Sequence, residues 1–245
     1  MTTKEEAITR ISDVDVHTVK KDIKNIHLGV YPPQGRVRVA APLETTDEKI
    51  KLLVLSKMRW IKRQQAKFQK QERETKREYV SGESHFLLGR RHLLNVIYDN
   101  SKPRIETNTK THINMFIRQK TTLKKREQLM NNFYRTELKK QTPLLLEKWN
   151  KITGIKVKEF RIKKMKTKWG SCTPEHKRIW LNLELAKKPL HCLEYVVVHE
   201  MTHIIEKNHN EKFKSLMNMF MPKWTQYKQE LNNGKIGYFK WDITI

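Results

Sequence analysis

Leu193-Glu194-Tyr195-Val196-Val197-Val198-His199-Glu200-Met201-Thr202-His203 decides the reading of this chain. It places an H-E-x-x-H signature at the end of a strongly apolar, helix-compatible run. On a helix, residues four apart project from one face, so His199 and His203 can chelate one zinc ion. Glu200, beside the first of them, can hold and deprotonate a water on that zinc. A catalytic zinc takes three protein ligands and keeps one position open. His209 is one source of the third ligand, and Glu206, on nearly the same helix face as His199, is another. Taken alone, the two histidines also fit an amphipathic helix with surface histidines, and His209 fits an exposed residue beyond a helix end. The apolar run weighs against the surface helix, because two histidines and a glutamate are costly in a buried helix without an ion.

The 245 residues suffice for one large domain or two small ones with a sizeable core. No apolar run approaches the ~20 residues of a membrane span, so no membrane association is expected. The opening Met1-Thr2-Thr3-Lys4-Glu5-Glu6 lacks the apolar stretch of a secretory signal. Two cysteines, Cys172 and Cys192, cannot build a disulfide framework and fit a reducing compartment, so the expected location is cytoplasmic. Neither sits in a C-x-x-C pair, so no cysteine–zinc module is indicated. The formal net charge of +25 attracts polyanions and makes non-specific nucleic acid a candidate partner. A chain-wide lysine bias would give the same charge, since lysine is common in every segment.

The pattern along the chain is α+β. Val14–His17, Ile26–Val30 and Arg36–Ala40 alternate apolar and polar residues around a turn at Pro32-Pro33-Gln34-Gly35. Thr45-Thr46-Asp47-Glu48 opens a helix over about 46–70, which runs into the polar stretch Gln64–Arg77. A second hairpin spans His85–Gly89 and Leu93–Tyr98, with short strands near Arg104–Thr107 and His112–Ile117. A helix over about 121–153 follows, with Pro143 placed to kink or interrupt it. Further strands are expected at Ile155–Ile162 and Ile179–Leu183, a helix at about 190–206, and a last helix at about 210–231 divided at Pro222. No internal repeat is visible. The division drawn from this pattern is a β-hairpin-rich region with one helix at 1–120 and a metal-bearing α+β domain at 121–245.

Lys166-Thr167-Lys168-Trp169-Gly170-Ser171-Cys172, the strand Ile179–Leu183, the block Tyr195–His203 and Asn208-His209-Asn210-Glu211-Lys212-Phe213 occur in that order. In this the chain resembles the YgjP-like zinc metallopeptidases, relatives of the SprT/Spartan group. Gly35–Pro42 and Lys57-Met58-Arg59-Trp60-Ile61 extend the resemblance over most of the chain. The resemblance implies a zincin-like core, Zn²⁺ as cofactor, a protein or peptide substrate, His199, His203 and His209 as ligands, and Glu200 as catalytic acid/base. Zinc-activated water would then attack a peptide carbonyl while Glu200 relays the proton. The alternative is a nucleic-acid-associated protein whose metal is structural, or whose proteolysis is confined to DNA-bound proteins. Trp169-Gly170-Ser171-Cys172 fits either an active-site edge, where glycine admits close backbone approach, or a tight turn packed by Trp169.

Overall fold

Alternating valines build the first sheet. In Val14-Asp15-Val16 and Val37-Arg38-Val39 the buried side chains are the valines, every second residue on one face. The computed structural model describes residues 5–31, 35–69, 77–107, 110–165 and 168–233. Its first sheet joins β1 (Glu5–Ile11), β2 (Val14–Lys20), β3 (His27–Tyr31) and β4 (Arg36–Ala41) in the order β1-β2-β4-β3. The central β2 and β4 run parallel, with Val16 opposite Val37, and both outer pairs are antiparallel. The helix expected over 46–70 is two helices, α1 (Asp47–Ser56) and α2 (Met58–Gln69), broken at Lys57. Thr46 caps α1 through Lys49 N–H at 3.4 Å. Ile50, Val54 and Ile61 join the valine face in one core. Strand β1 has no counterpart in the sequence reading: its described side chains before Ile11 are exposed, so it carries no apolar signal, and backbone pairing to β2 forms it. Part of the turn at Pro32–Gly35 and part of the stretch Gln64–Arg77 lie outside the described residues.

The chain divides into two compact units, one holding the described residues through Gln69 and the other those from Arg77 onward. The second unit opens with β5 (Ser84–Leu87), β6 (Arg90–Tyr98), β7 (Arg104–Glu106) and β8 (His112–Ile117), ordered β5-β6-β8-β7. Again the central pair, β6 and β8, is parallel and the outer pairs are antiparallel. The strand order and pairing senses of the first sheet therefore recur, although the sequence shows no repeat. Strand topology needs only matching alternation and turns, which many residue choices satisfy.

These strands, grouped with 1–120 on hairpin content, pack with the C-terminal elements. The tip of the β5–β6 hairpin bonds to the 3-10 turn Leu183–Lys187, through Leu88 N–H to Ala186 O (2.8 Å) and Gly89 N–H to Lys187 O (3.2 Å). Helix α3 (Leu123–Thr153) runs 31 residues without interruption at Pro143. Met130, Tyr134, Leu138, Thr142, Leu145 and Trp149 form its buried stripe, whereas Pro143 is exposed, where water can serve the carbonyl that a proline leaves unbonded. A three-stranded sheet follows, of β9 (Glu159–Lys163), β10 (Gly170–Thr173) and β11 (Arg178–Asn182), ordered β10-β11-β9. Only the second half of the strand expected at Ile155–Ile162 forms. Helices α4 (Leu190–Thr202), α5 (Glu211–Phe220) and α6 (Trp224–Asn233) complete the unit, with Pro222 separating the last two. Helix α4 contacts α3, α5, α6, β10 and β11. Glu194 ties it to α3 by accepting from Trp149 Nε1 (2.8 Å) and Lys148 Nζ (2.6 Å). No helix among the described residues is long and apolar enough to cross a membrane.

Gly89 is a testable joint in this arrangement. Its φ is +82°, and an added Cβ would stand 2.8 Å from Pro189 Cγ and 2.9 Å from Pro189 Cα. Gly89→Ala should cost about 2 kcal/mol or more in urea unfolding, from backbone strain plus the clash. Gly82, at φ +86° with nothing within 4 Å, isolates the strain alone. A cost at Gly89 no greater than that of Gly82→Ala would show that the hairpin tip is not tightly seated.

Candidate metal centre

The buried run Val196-Val197-Val198 fixes the rotation of α4 and brings His199 and Glu200 to its last turn. The helix ends at Thr202, short of the expected 206. His203 is its C-cap at φ −64°, ψ −14°, still helical, so the four-residue spacing holds both imidazoles on one face. The chain then tightens through Ile204 N–H to Met201 O and Ile205 N–H to Thr202 O, both 3.0 Å. Asn210 starts α5 by accepting Phe213 N–H at 3.0 Å. His209, just before that cap, is thereby turned back toward α4. The buried Phe213 ring packs on all three imidazoles, its centroid 4.9 Å from His199 and 4.7 Å from His203 and His209.

The three Nε2 atoms converge. His199 Nε2 lies 3.2 Å from His203 Nε2 and 3.0 Å from His209 Nε2. Donors about 2.05 Å from a zinc at tetrahedral angles stand about 3.3 Å apart, so the cluster is close to the size of a tetrahedral zinc face. His203 Nδ1 donates to Glu206 O at 3.0 Å, which leaves its Nε2 lone pair free for a metal. Burial lowers the pKa of all three histidines, most strongly His199, with the neighbouring imidazoles adding to the effect on His199 and His209. The set is therefore neutral, the form that binds metal.

Glu206 serves the turn instead. Its backbone carbonyl holds His203, and its Oε1 accepts Asn208 N–H at 3.2 Å. A second group, His191, Cys192 and Glu230, also has ligand atoms within 4.8 Å of one another. There His191 Nε2 and Glu230 Oε2 are 2.6 Å apart, the spacing of a hydrogen bond, and they link α4 to α6.

Glu200 faces a cleft of about 350 Å³ shared with the three histidines and with the strand β10. Burial pushes its carboxyl up to about 8, against the opposing pull of the Lys168 ammonium. Gly170 abuts it: a Cβ on Gly170 would lie 2.5 Å from Glu200 Oε1. The Trp169–Cys172 element is thus a strand edge on the cleft rather than only a turn. Cys172 is half-buried, and its thiol is pushed up to about 12 by burial and by Glu200, which removes it as a nucleophile.

Asn182, fully buried, is a positioning residue that the sequence reading missed. Its Nδ2 donates to Lys168 O (2.7 Å) and Met165 O (3.4 Å), while its Oδ1 accepts from Met165 N–H (3.3 Å) and Glu184 N–H (3.2 Å). It fixes the approach to β10. An asparagine within an apolar strand, Ile179-Trp180-Leu181-Asn182-Leu183, was the available signal.

A mixed α+β fold with three converging histidines and a buried glutamate in one cleft defines a metal-site protein with hydrolase-like geometry. Residues 24–234 match the family described as YgjP-like, metallopeptidase domain, and the chain belongs to that family. Among solved structures it is similar to the metallopeptidase zymogen of Pyrococcus abyssi abylysin, with 18% identity and a TM-score of 0.34 over 36% of this chain and 88% of that one. That likeness is too slight to carry weight. No curated protein matches the chain.

The raised Glu200 acidity has a thermodynamic signature. In metal-free protein the folded carboxyl holds its proton more tightly than the unfolded one, so its stabilising contribution is full below 4.5 and declines as pH rises toward about 8. The stability of wild type minus that of Glu200→Gln should fall across this window by at most about 5 kcal/mol. Taking the difference cancels most of the opposite trend from the buried histidines. A pH-independent difference in urea titrations would place Glu200 in contact with water.

Proposed function

We propose that this YgjP-like metallopeptidase is a zinc-dependent endopeptidase of the H-E-x-x-H type. His199, His203 and His209 are its ligands, and Glu200 is its general base and then its general acid. The observation that carries the proposal is the pairing of Glu200 with Gly170 beside three converging Nε2 atoms. Bound zinc supplies Lewis acidity, polarising a peptide carbonyl and bringing the pKa of water toward ~7. Glu200 takes the proton of the attacking water and returns it to the leaving amine nitrogen.

Strand β10 supports the binding half of the reaction. It lies at the edge of its sheet, paired only with β11. Asn182 N–H bonds Trp169 O at 2.9 Å, so Trp169 and Asn182 form a hydrogen-bonded antiparallel pair. Alternation then turns the N–H and C=O of Gly170 and Cys172 to the free edge. An extended peptide pairing there would pass directly over Glu200. A purely structural metal would leave a buried carboxyl in this cleft as an uncompensated cost.

Zinc content and peptide cleavage, measured together, test the assignment. Wild type should hold about one zinc per chain, as a three-ligand site requires. His209→Ala should lose it and Glu206→Ala should keep it. Glu200→Gln should retain zinc while cleavage falls by about 10²–10⁴-fold. Equal cleavage by Glu200→Gln, or full zinc in His209→Ala, overturns the corresponding role.

A further inference from the structure

Two lysines line the cleft, and their circumstances differ. Lys207 Nζ is paired with Glu175 Oε1 at 2.6 Å, so the end of the cleft beyond Thr173 is electrically neutral. Lys168, at the other end of β10, is exposed, and its ammonium makes no ion pair or hydrogen bond among the described residues. Its backbone is nonetheless anchored, through Lys168 O, to the fully buried Asn182. A cation on an anchored backbone, facing a cleft and without a partner among the described residues, is placed to meet an external anion.

We propose that Lys168 makes the cleft selective for acidic peptides, recognising an Asp or Glu side chain within two residues of the scissile bond. The proposal rests on the peptidase reading and names its substrate class. The register follows from the strand. Gly170 marks the position of the base, because it abuts Glu200. Lys168 lies two residues before it, just ahead of the strand, so at most about 7 Å along the chain. A peptide paired with β10 would carry a residue past Lys168 at that distance, on one side of the cleaved bond only. Lys168 lines the same cleft as Glu200 and His203. Glu175, which also lines the cleft, is already paired with Lys207.

Binding tests this without depending on turnover. Zinc-loaded Glu200→Gln protein is titrated with fluorescent peptides matched except for Glu, Gln or Lys at each of the two positions flanking a central bond on either side. Glu on one side only should bind about threefold to tenfold tighter than Lys at low ionic strength, and the gap should close with salt. Adding Lys168→Glu should reverse the preference at that position. Lys139→Glu, an exposed lysine on α3, makes the same change in net charge and should leave the preference intact. If Lys139→Glu reverses it equally, the preference belongs to overall charge, and Lys168 is excluded. If peptides bind with no preference, or Lys168→Glu leaves it unchanged, the specificity assignment fails while the peptidase reading stands. If no peptide binds, both fall.

Discussion

Three converging imidazoles, with His199 Nε2 held 3.2 Å from His203 Nε2 and 3.0 Å from His209 Nε2, form the constraint on which the rest of the C-terminal unit depends. Neutral lone pairs pointed at a common centre repel, and the fold must hold them there until a cation turns that repulsion into coordination. It does so with apolar packing and a helix cap rather than with charge. The valine run seats α4, Asn210 restarts the chain as α5, and Phe213 presses its ring against all three histidines. Phe213 and His209 are linked through one cap, so the residue that closes the ligand set and the residue that floors it are placed by the same hydrogen bond.

Glu200 imposes a second demand, and it falls on β10. A buried carboxyl needs space without water, yet it must also face the cleft. The solution is a strand residue with no side chain: Gly170 lets the β10 backbone reach the carboxyl, and any Cβ would occupy its oxygen's position. Asn182 then keeps the strand at that distance by binding the backbone of Met165 and Lys168 ahead of it. Glu200, the edge strand with Lys168 just ahead of it, and Asn182 are therefore one mechanical unit, although they come from three separate stretches of sequence.

Most elements were legible because their signals are local. Capping chemistry at Thr46, alternation in Arg36–Ala40 and Leu93–Tyr98, and the spacing of His199 and His203 each need only a few neighbouring residues. The misses share a different cause. Strand β1 exposes the described side chains before Ile11 and exists through backbone pairing, which leaves no pattern. The early end of α4 carries no glycine, because the chain turns through short backbone bonds at Ile204 and Ile205 instead. Pro143 does not interrupt α3, because on a solvent face the carbonyl of the residue four before a proline is left to water. Between His209 and Glu206, spacing could not choose. In the folded chain it is His209 that stands with His199 and His203, while the Glu206 side chain accepts Asn208 N–H within the turn.

The long-range joint at Gly89 shows why the second sheet belongs with the metal-bearing elements. Pro189 is the residue immediately before α4, and its ring and Cα lie where a Cβ on Gly89 would be. The hairpin tip also bonds the 3-10 turn that leads into Pro189. The start of α4 is thus fixed by the β5–β6 hairpin, its flank by Glu194 to Trp149 of α3, and its end by the α5 cap. A helix held at three points along 13 residues has little freedom to rotate. Rotation is the motion that would carry His199 and His203 together away from His209, because residues four apart on one helix share its face. The distant hairpin therefore bears on the geometry of the histidine cluster without touching a histidine of it, through the rigidity of the helix that carries two of them.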